Sequence, residues 1–252
     1  MTGATVIRRI ELGFSLTLLA LSTPIYAENA KTSSPEPGNS ASASQDDELA
    51  KGVTLLQSGQ PAEAVSIFSG IISAYEQRYG AKTVFRCISG KPGGQALSTA
   101  FGEVLTSDKR DVVLGNEDWC TALWGKGYAL IDLNRSAEAG PFLARAVEMD
   151  PDNAHFINEY AEWFKPQRQF KQSFDLFSRA WETVDHDKQG PNRRVAARSL
   201  RGMAFNLIEL GDLDGAEQKY RQSLEYEPEA AGKVQGELDY IVQQRAARKK
   251  TS

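Results

Sequence analysis

The sequence predicts an all-α fold, a solenoid of stacked helix-turn-helix units closed by one further helix. Three observations lead there. First, two segments share one spacing: Ala139, Leu143, Ala146 and Pro151 recur as Ala216, Tyr220, Ser223 and Pro228, and upstream Leu123, Gly127 and Leu130 recur as Leu200, Ala204 and Leu207. Second, the turn between the halves holds Asn134-Arg135 in one unit and Gly211-Asp212 in the other, residue types that stop a helix by entering the left-handed region. Third, Val234, Leu238 and Ile241 recur at helical spacing beyond the last repeat, as expected of a helix covering an exposed terminal core face.

The spacing suits two packed helices. Small residues such as Gly127 and Ala139 let the backbones approach, large ones such as Leu123 and Leu143 fill the space between them, and the proline ends the second helix. On these residues the chain resembles the tetratricopeptide repeat family, whose unit is a 34-residue helix-turn-helix. The resemblance implies a right-handed superhelix and assigns clear repeats to 120–153 and 197–230. A third, 154–187, carries Ile157, Tyr160, Ala161, Phe164, Ser173, Phe177 and Ala180 in register, without the terminal proline and with Pro166 near the end of its first helix. A fourth, 46–78, carries Gly52, Leu55, Gly59, Ala64, Phe68 and Ile71 in a pattern running from Gln45 to Arg78. Two departures stand out. Pro141 lies inside a second helix, where it is expected to bend or weaken it, and His186 to Asn192 is an insertion that lengthens an inter-repeat loop.

Residues 79–119 do not fit the repeat. Thr83 to Ile88 and Val112-Val113-Leu114 favour strand, and a helix over about Gln95 to Thr106 fits between them. A short strand pair and an irregular helical pair both remain open, with the helical pair favoured because a lone two-stranded ribbon is marginal. Residues 231–252 read as the capping helix and a basic tail.

At the front, Arg8 and Arg9 precede an apolar run from Leu12 to Leu21, followed by Pro24-Ile25-Tyr26-Ala27. This is the pattern of a cleaved export signal over 1–27. A retained membrane anchor is the competing reading, against which stands a run shorter than the roughly 20 residues a span needs. Residues 28–45, rich in Ser and Pro, read as a disordered linker. Export into the periplasm, or secretion beyond it, is the expected destination. The two cysteines, Cys87 and Cys120, are then expected to form a disulfide; two buried free thiols are the alternative.

The formal net charge is −4, which argues against a general affinity for nucleic acid. The one basic cluster, Arg245 to Lys250, reads as a solvated helix end, with contact to anionic lipid as the second possibility. Neither histidine, His155 nor His186, has ligand spacing toward a metal. Gly90-Lys91-Pro92-Gly93-Gly94 lacks the order of a phosphate-binding loop and reads as a turn. The adjacent carboxylates Glu117 and Asp118, and Asp150 and Asp152, fall at helix ends and read as caps. No nucleophile stands beside a base at a recognisable spacing, so neither enzyme activity nor a cofactor or metal is expected.

The resemblance implies that the first helices line a concave surface that holds peptides. The residues expected to face it are Thr121, Trp124 and Tyr128; His155, Asn158 and Glu162; and Arg198, Arg201 and Phe205. Trp124 and Tyr128 form an aromatic strip, and Arg198 and Arg201 are placed to clamp a carboxylate or phosphate, so a peptide with an apolar anchor and an acidic end is the expected ligand. The Lys/Asn clamp by which some family members hold acidic C-termini has no counterpart, since the matching positions are Trp124, Tyr128, His155 and Glu159. The functional expectation is an exported scaffold or adaptor for a protein segment in cell-envelope assembly. A self-associating structural module and a non-catalytic subunit of an envelope enzyme complex are the alternatives.

Overall fold

The computed structural model describes residues 39–80, 83–87 and 111–251. The predicted signal, residues 28–38 of the linker, and the expected helix over Gln95 to Thr106 lie outside them. Nine helices occur among the described residues: α1 (Asn39–Gln57), α2 (Pro61–Tyr79), α3 (Asp118–Asp132), α4 (Ser136–Met149), α5 (Ala154–Phe164), α6 (Phe170–Thr183), α7 (Arg193–Leu210), α8 (Leu213–Ser223) and α9 (Ala231–Thr251). The first helix thus starts at Asn39, within the segment read from the sequence as linker. Each helix packs on the next in sequence, and the first helices of successive units also touch, α1 on α3, α3 on α5 and α5 on α7. That is the contact pattern of a solenoid, in which each unit meets only its neighbours.

The backbone carries the repeat as clearly as the side chains do. Counted from 45, 120, 154 and 197, the fifteenth residues are Gly59, Asn134, Arg168 and Gly211. All four have positive φ, at 71°, 59°, 59° and 93°. The left-handed residue lets the chain turn back so that the second helix lies on the first. The same count places Ala64, Ala139, Ser173 and Ala216 at one buried position, and Phe68, Leu143, Phe177 and Tyr220 at another. Three of the large residues meet a glycine on a first helix: a Cβ on Gly52 would overlap the Phe68 ring, one on Gly127 would fall 2.7 Å from Leu143, and one on Gly202 would overlap the Phe177 ring.

Arg168 is the exception in this series, because a side chain in the left-handed region costs roughly 1–2 kcal/mol that glycine avoids. Glycine loses more chain entropy on folding, which offsets about half of that gain. Arg168→Gly is therefore expected to stabilise the fold by about 0.5–1 kcal/mol. Thermal denaturation checks this; an unchanged or lowered midpoint contradicts it.

Pro141 does not end its helix. α4 runs from Ser136 to Met149 with the proline inside. Beside it, Gly140 packs so closely against Trp163 that a Cβ would overlap the indole, and Trp163 Nε1 donates to the Ser136 carbonyl at 2.7 Å. α5 ends at Phe164, two residues before Pro166. The insertion forms the loop between α6 and α7, with Lys188 paired to Glu225 at 2.7 Å and His186 stacked on Trp181 at 4.0 Å between ring centroids.

The favoured helical pair over 79–119 is corrected by the structure. Thr83–Cys87 (β1) and Asp111–Gly115 (β2) pair in parallel, from Thr83 opposite Asp111 to Cys87 opposite Gly115. A two-stranded ribbon is marginal when alone, and this one is not alone. Cys87 is disulfide-bonded to Cys120 on α3, and both cysteines are buried. Phe85 packs edge-on against Trp119 at 5.1 Å and against Tyr79 at 4.9 Å, while Tyr75 stacks on Trp119 at 5.3 Å. Closing a 33-residue separation contributes on the order of 3–4 kcal/mol in the chain-entropy account.

At the far end α9 buries Val234, Leu238 and Ile241 against Ala204, Ile208, Leu213, Ala216 and Tyr220, as expected of a capping helix. Part of the basic cluster folds back onto α8. Arg245 pairs with Asp214 and with Glu217 at 2.5 Å, and Arg248 donates to the Gly211 carbonyl at 3.0 Å. No helix of the described residues is long and apolar enough to cross a membrane.

Candidate functional site

Trp124, Tyr128 and Asp132 lie four residues apart on α3 and therefore share one face of it. The Trp124 ring lies 5.9 Å from Tyr128 and 4.8 Å from His155 on α5. Trp124 and His155 are partly exposed, whereas Tyr128 is buried. Asn153 sets the start of α5, its side-chain oxygen accepting from the backbone N–H groups of His155 and Phe156, both at 3.2 Å. This cap fixes the first turn, and with it the position of His155 beside Trp124. Burial lowers the His155 pKa, with Glu159 opposing and Arg198 reinforcing the shift. His155 thus joins the strip as a neutral ring at pH 7.

The next portion is ionic. Arg198 on α7 forms a two-pronged pair with Glu159 on α5, at 2.5 and 3.0 Å. The Glu159 side chain is only 5% exposed and that of Arg198 31%. Burial alone would lower the arginine pKa, yet Glu159 and then Glu162 raise it. Glu162 pairs with Lys165 at 2.5 Å. Burial works against the Glu162 carboxylate, but Lys165, Arg198 and Lys233 together hold its pKa below the ordinary value. Lys165 also sits 4.4 Å above the Phe205 ring, which carries the strip onto α7. Arg201 is ion-paired with Glu227, 2.7 Å away.

The nine expected groove residues therefore divide. Trp124, Tyr128, His155, Glu162, Arg198 and Phe205 belong to one connected strip across α3, α5 and α7. Thr121 is partly exposed. Arg201 is directed to the loop after α8. Asn158 is fully buried, its Nδ2 donating to the Val195 carbonyl at 3.3 Å and its Oδ1 accepting from Ser199 at 3.0 Å. It joins α5 to α7 beneath the surface and is inaccessible to a ligand. The expected arginine clamp is also occupied, since Arg198 and Arg201 already hold Glu159 and Glu227. Glu159 was missed as a partner of Arg198 because it lies one position off the assumed face. The small residue Ser199, hydrogen-bonded to Asn158, lies where α7 comes close to α5.

Two comparisons bear on this arrangement. A family profile described as Tetratricopeptide repeat matches residues 121–153. Among solved structures, the chain is similar to a putative kinesin light chain from Podosopora anserina with nearly identical TPR-like repeats. That likeness has 13% identity and a TM-score of 0.54 and covers 82% of this chain and 90% of that one. It is also similar to MamA RS-1, an ArsTM double mutant, with 12% identity, a TM-score of 0.51, and 81% and 86% of the two chains covered. At such identities the likeness concerns the fold. No curated protein sequence matches the chain. With the repeating left-handed turns and the matched segment at 121–153, the chain has the all-α solenoid fold of tetratricopeptide repeat proteins.

Proposed function

We propose that this chain is an exported scaffold that binds a segment of a partner protein in the surface lined by α3, α5 and α7, in the periplasm, and that it serves cell-envelope assembly. The observation that carries the reading is the connected strip from Trp124 and His155 through Glu159–Arg198 and Glu162–Lys165 to Phe205. It crosses three successive first helices, mixes partly exposed aromatics with held charges, and so has the make-up of interface hot spots. Tetratricopeptide solenoids offer peptides this same side. The N-terminal Arg8-Arg9, the apolar run to Leu21 and Ala27 support export, and the Cys87–Cys120 disulfide suits an oxidising compartment.

The test is capture of partners from envelope extract by the mature chain and by a Trp124→Ala variant shown to be folded by circular dichroism. A protein held by the native chain and lost by the variant is the expected result. Equal capture by both contradicts binding in this groove, and recovery of the chain alone, with a mass that grows with concentration, points to self-assembly instead.

A further inference from the structure

The charges along the strip are not evenly matched, and the mismatch specifies the occupant. Toward α7 the cations of the strip itself are ion-paired. Arg198 is held by Glu159, Lys165 by Glu162 and Arg201 by Glu227, and Lys233 of α9 lies within electrostatic range of Glu162. An acidic peptide that reaches Arg198, Lys165 or Arg201 must displace an internal carboxylate, one of which is almost fully buried, and gains little from the exchange. Toward α3 the balance is reversed. Asp132 is exposed, has no cation paired to it among the described residues, and has its pKa raised by partial burial of the carboxylate and then by the like charge of Glu159. It is also the last residue of α3, where the helix end adds negative partial charge. On the same helix face lie Tyr128 and Trp124.

Resting on the groove reading above, we propose that the segment bound is basic rather than acidic: a partner-protein segment that sets an apolar residue on Trp124 and His155 and a lysine or arginine against Asp132. This reverses the acidic end expected from Arg198 and Arg201. Trp124 and Asp132 are eight residues apart on one helix, a rise of about 12 Å. An extended segment covers that span in about four residues. The segment therefore has its apolar and basic side chains about four positions apart.

The probes are three fluorescein-labelled 12-residue peptides that share a phenylalanine and differ only four positions on, where they carry lysine, glutamine or aspartate. Binding is followed by fluorescence anisotropy with the native chain, Asp132→Asn and Trp124→Ala. Asp132 is exposed and unpaired, so Asp132→Asn leaves the fold intact. The expected result is that the native chain binds the lysine peptide about threefold to fivefold tighter than the glutamine peptide, as suits a partly solvated ion pair, and binds the aspartate peptide most weakly. The advantage of lysine then disappears in Asp132→Asn and shrinks with added salt. A tighter aspartate peptide, or a lysine advantage unchanged by Asp132→Asn, overturns the proposal. If Trp124→Ala weakens all three peptides while Asp132→Asn changes none, the groove stands and its basic occupant falls; binding of none of the three by the native chain removes both.

Discussion

Replacing Arg198 with glutamate is expected to destabilise the solenoid strongly rather than merely to empty a binding site. Its partner Glu159 is nearly buried and takes both guanidinium contacts. Glu162 lies within electrostatic reach of the same guanidinium. Removing one member of a buried pair costs about 3–5 kcal/mol because the other charge stays desolvated and alone. Adding a third carboxylate beside two others does not lessen that cost. Against a typical total stability of about 5–15 kcal/mol, the loss is a large share of the whole. Chemical denaturation of Arg198→Glu, with Glu159→Met/Arg198→Met as the companion, measures this. The companion is expected to recover most of the loss, since replacing a buried ion pair by hydrophobic groups of similar size is often nearly neutral. A stable Arg198→Glu contradicts the buried pair. Partner capture by that single variant therefore says little about the groove, which is why Trp124 and Asp132 are the sites for binding tests.

Phe177→Ala is expected to cost about 3–5 kcal/mol, the range for deleting a fully buried phenylalanine. The ring has no exposed surface and meets Gly202 at a distance that leaves no room for a Cβ. Buried polar side chains stand close by, with Asn206 donating to Ser173 at 2.8 Å and to the Gly202 carbonyl at 3.0 Å, so the site has little freedom to collapse into the cavity. Gly202→Ala pushes on the same contact from the other side. The two changes are expected to be non-additive, because the alanine methyl of the second fills part of the space left by the first. Denaturation of the two single variants and the double variant closes the cycle; strict additivity rules out direct contact between these positions.

How much was legible differs by position. The fifteenth residue of each unit was readable where it is Gly or Asn, since those types signal the left-handed turn. Arg168 carries no such signal, and only its place in the repeat count points to it. Val234, Leu238 and Ile241 announced the capping helix by spacing alone. The strand pair was kept open but not preferred, because β propensity over five residues is weak and the argument against a lone ribbon took no account of what covers it. Phe85, Tyr75 and Trp119 lie far apart in sequence, and their cluster with the disulfide makes the ribbon viable. At the groove, face assignment found Trp124, Tyr128, His155 and Phe205. It placed Asn158 on the surface and left Glu159 out, because a helix face says which way a side chain starts and not which neighbour approaches it.

The sequence by itself determined the repeat, its register and the capping helix, because these rest on local spacing of small, large and turn-forming residues within some 34 positions. It also determined which aromatic side chains stand in line on the first helices. Only the tertiary structure decided which charges remain free to meet a partner. Arg198 and Glu159 are 39 residues apart in the chain, and their pairing depends on how closely α7 approaches α5. That distance is set by packing rather than by either residue, so a clamp that looks open in the sequence is closed in the fold, and among the described residues of the strip Asp132 is left without a paired cation.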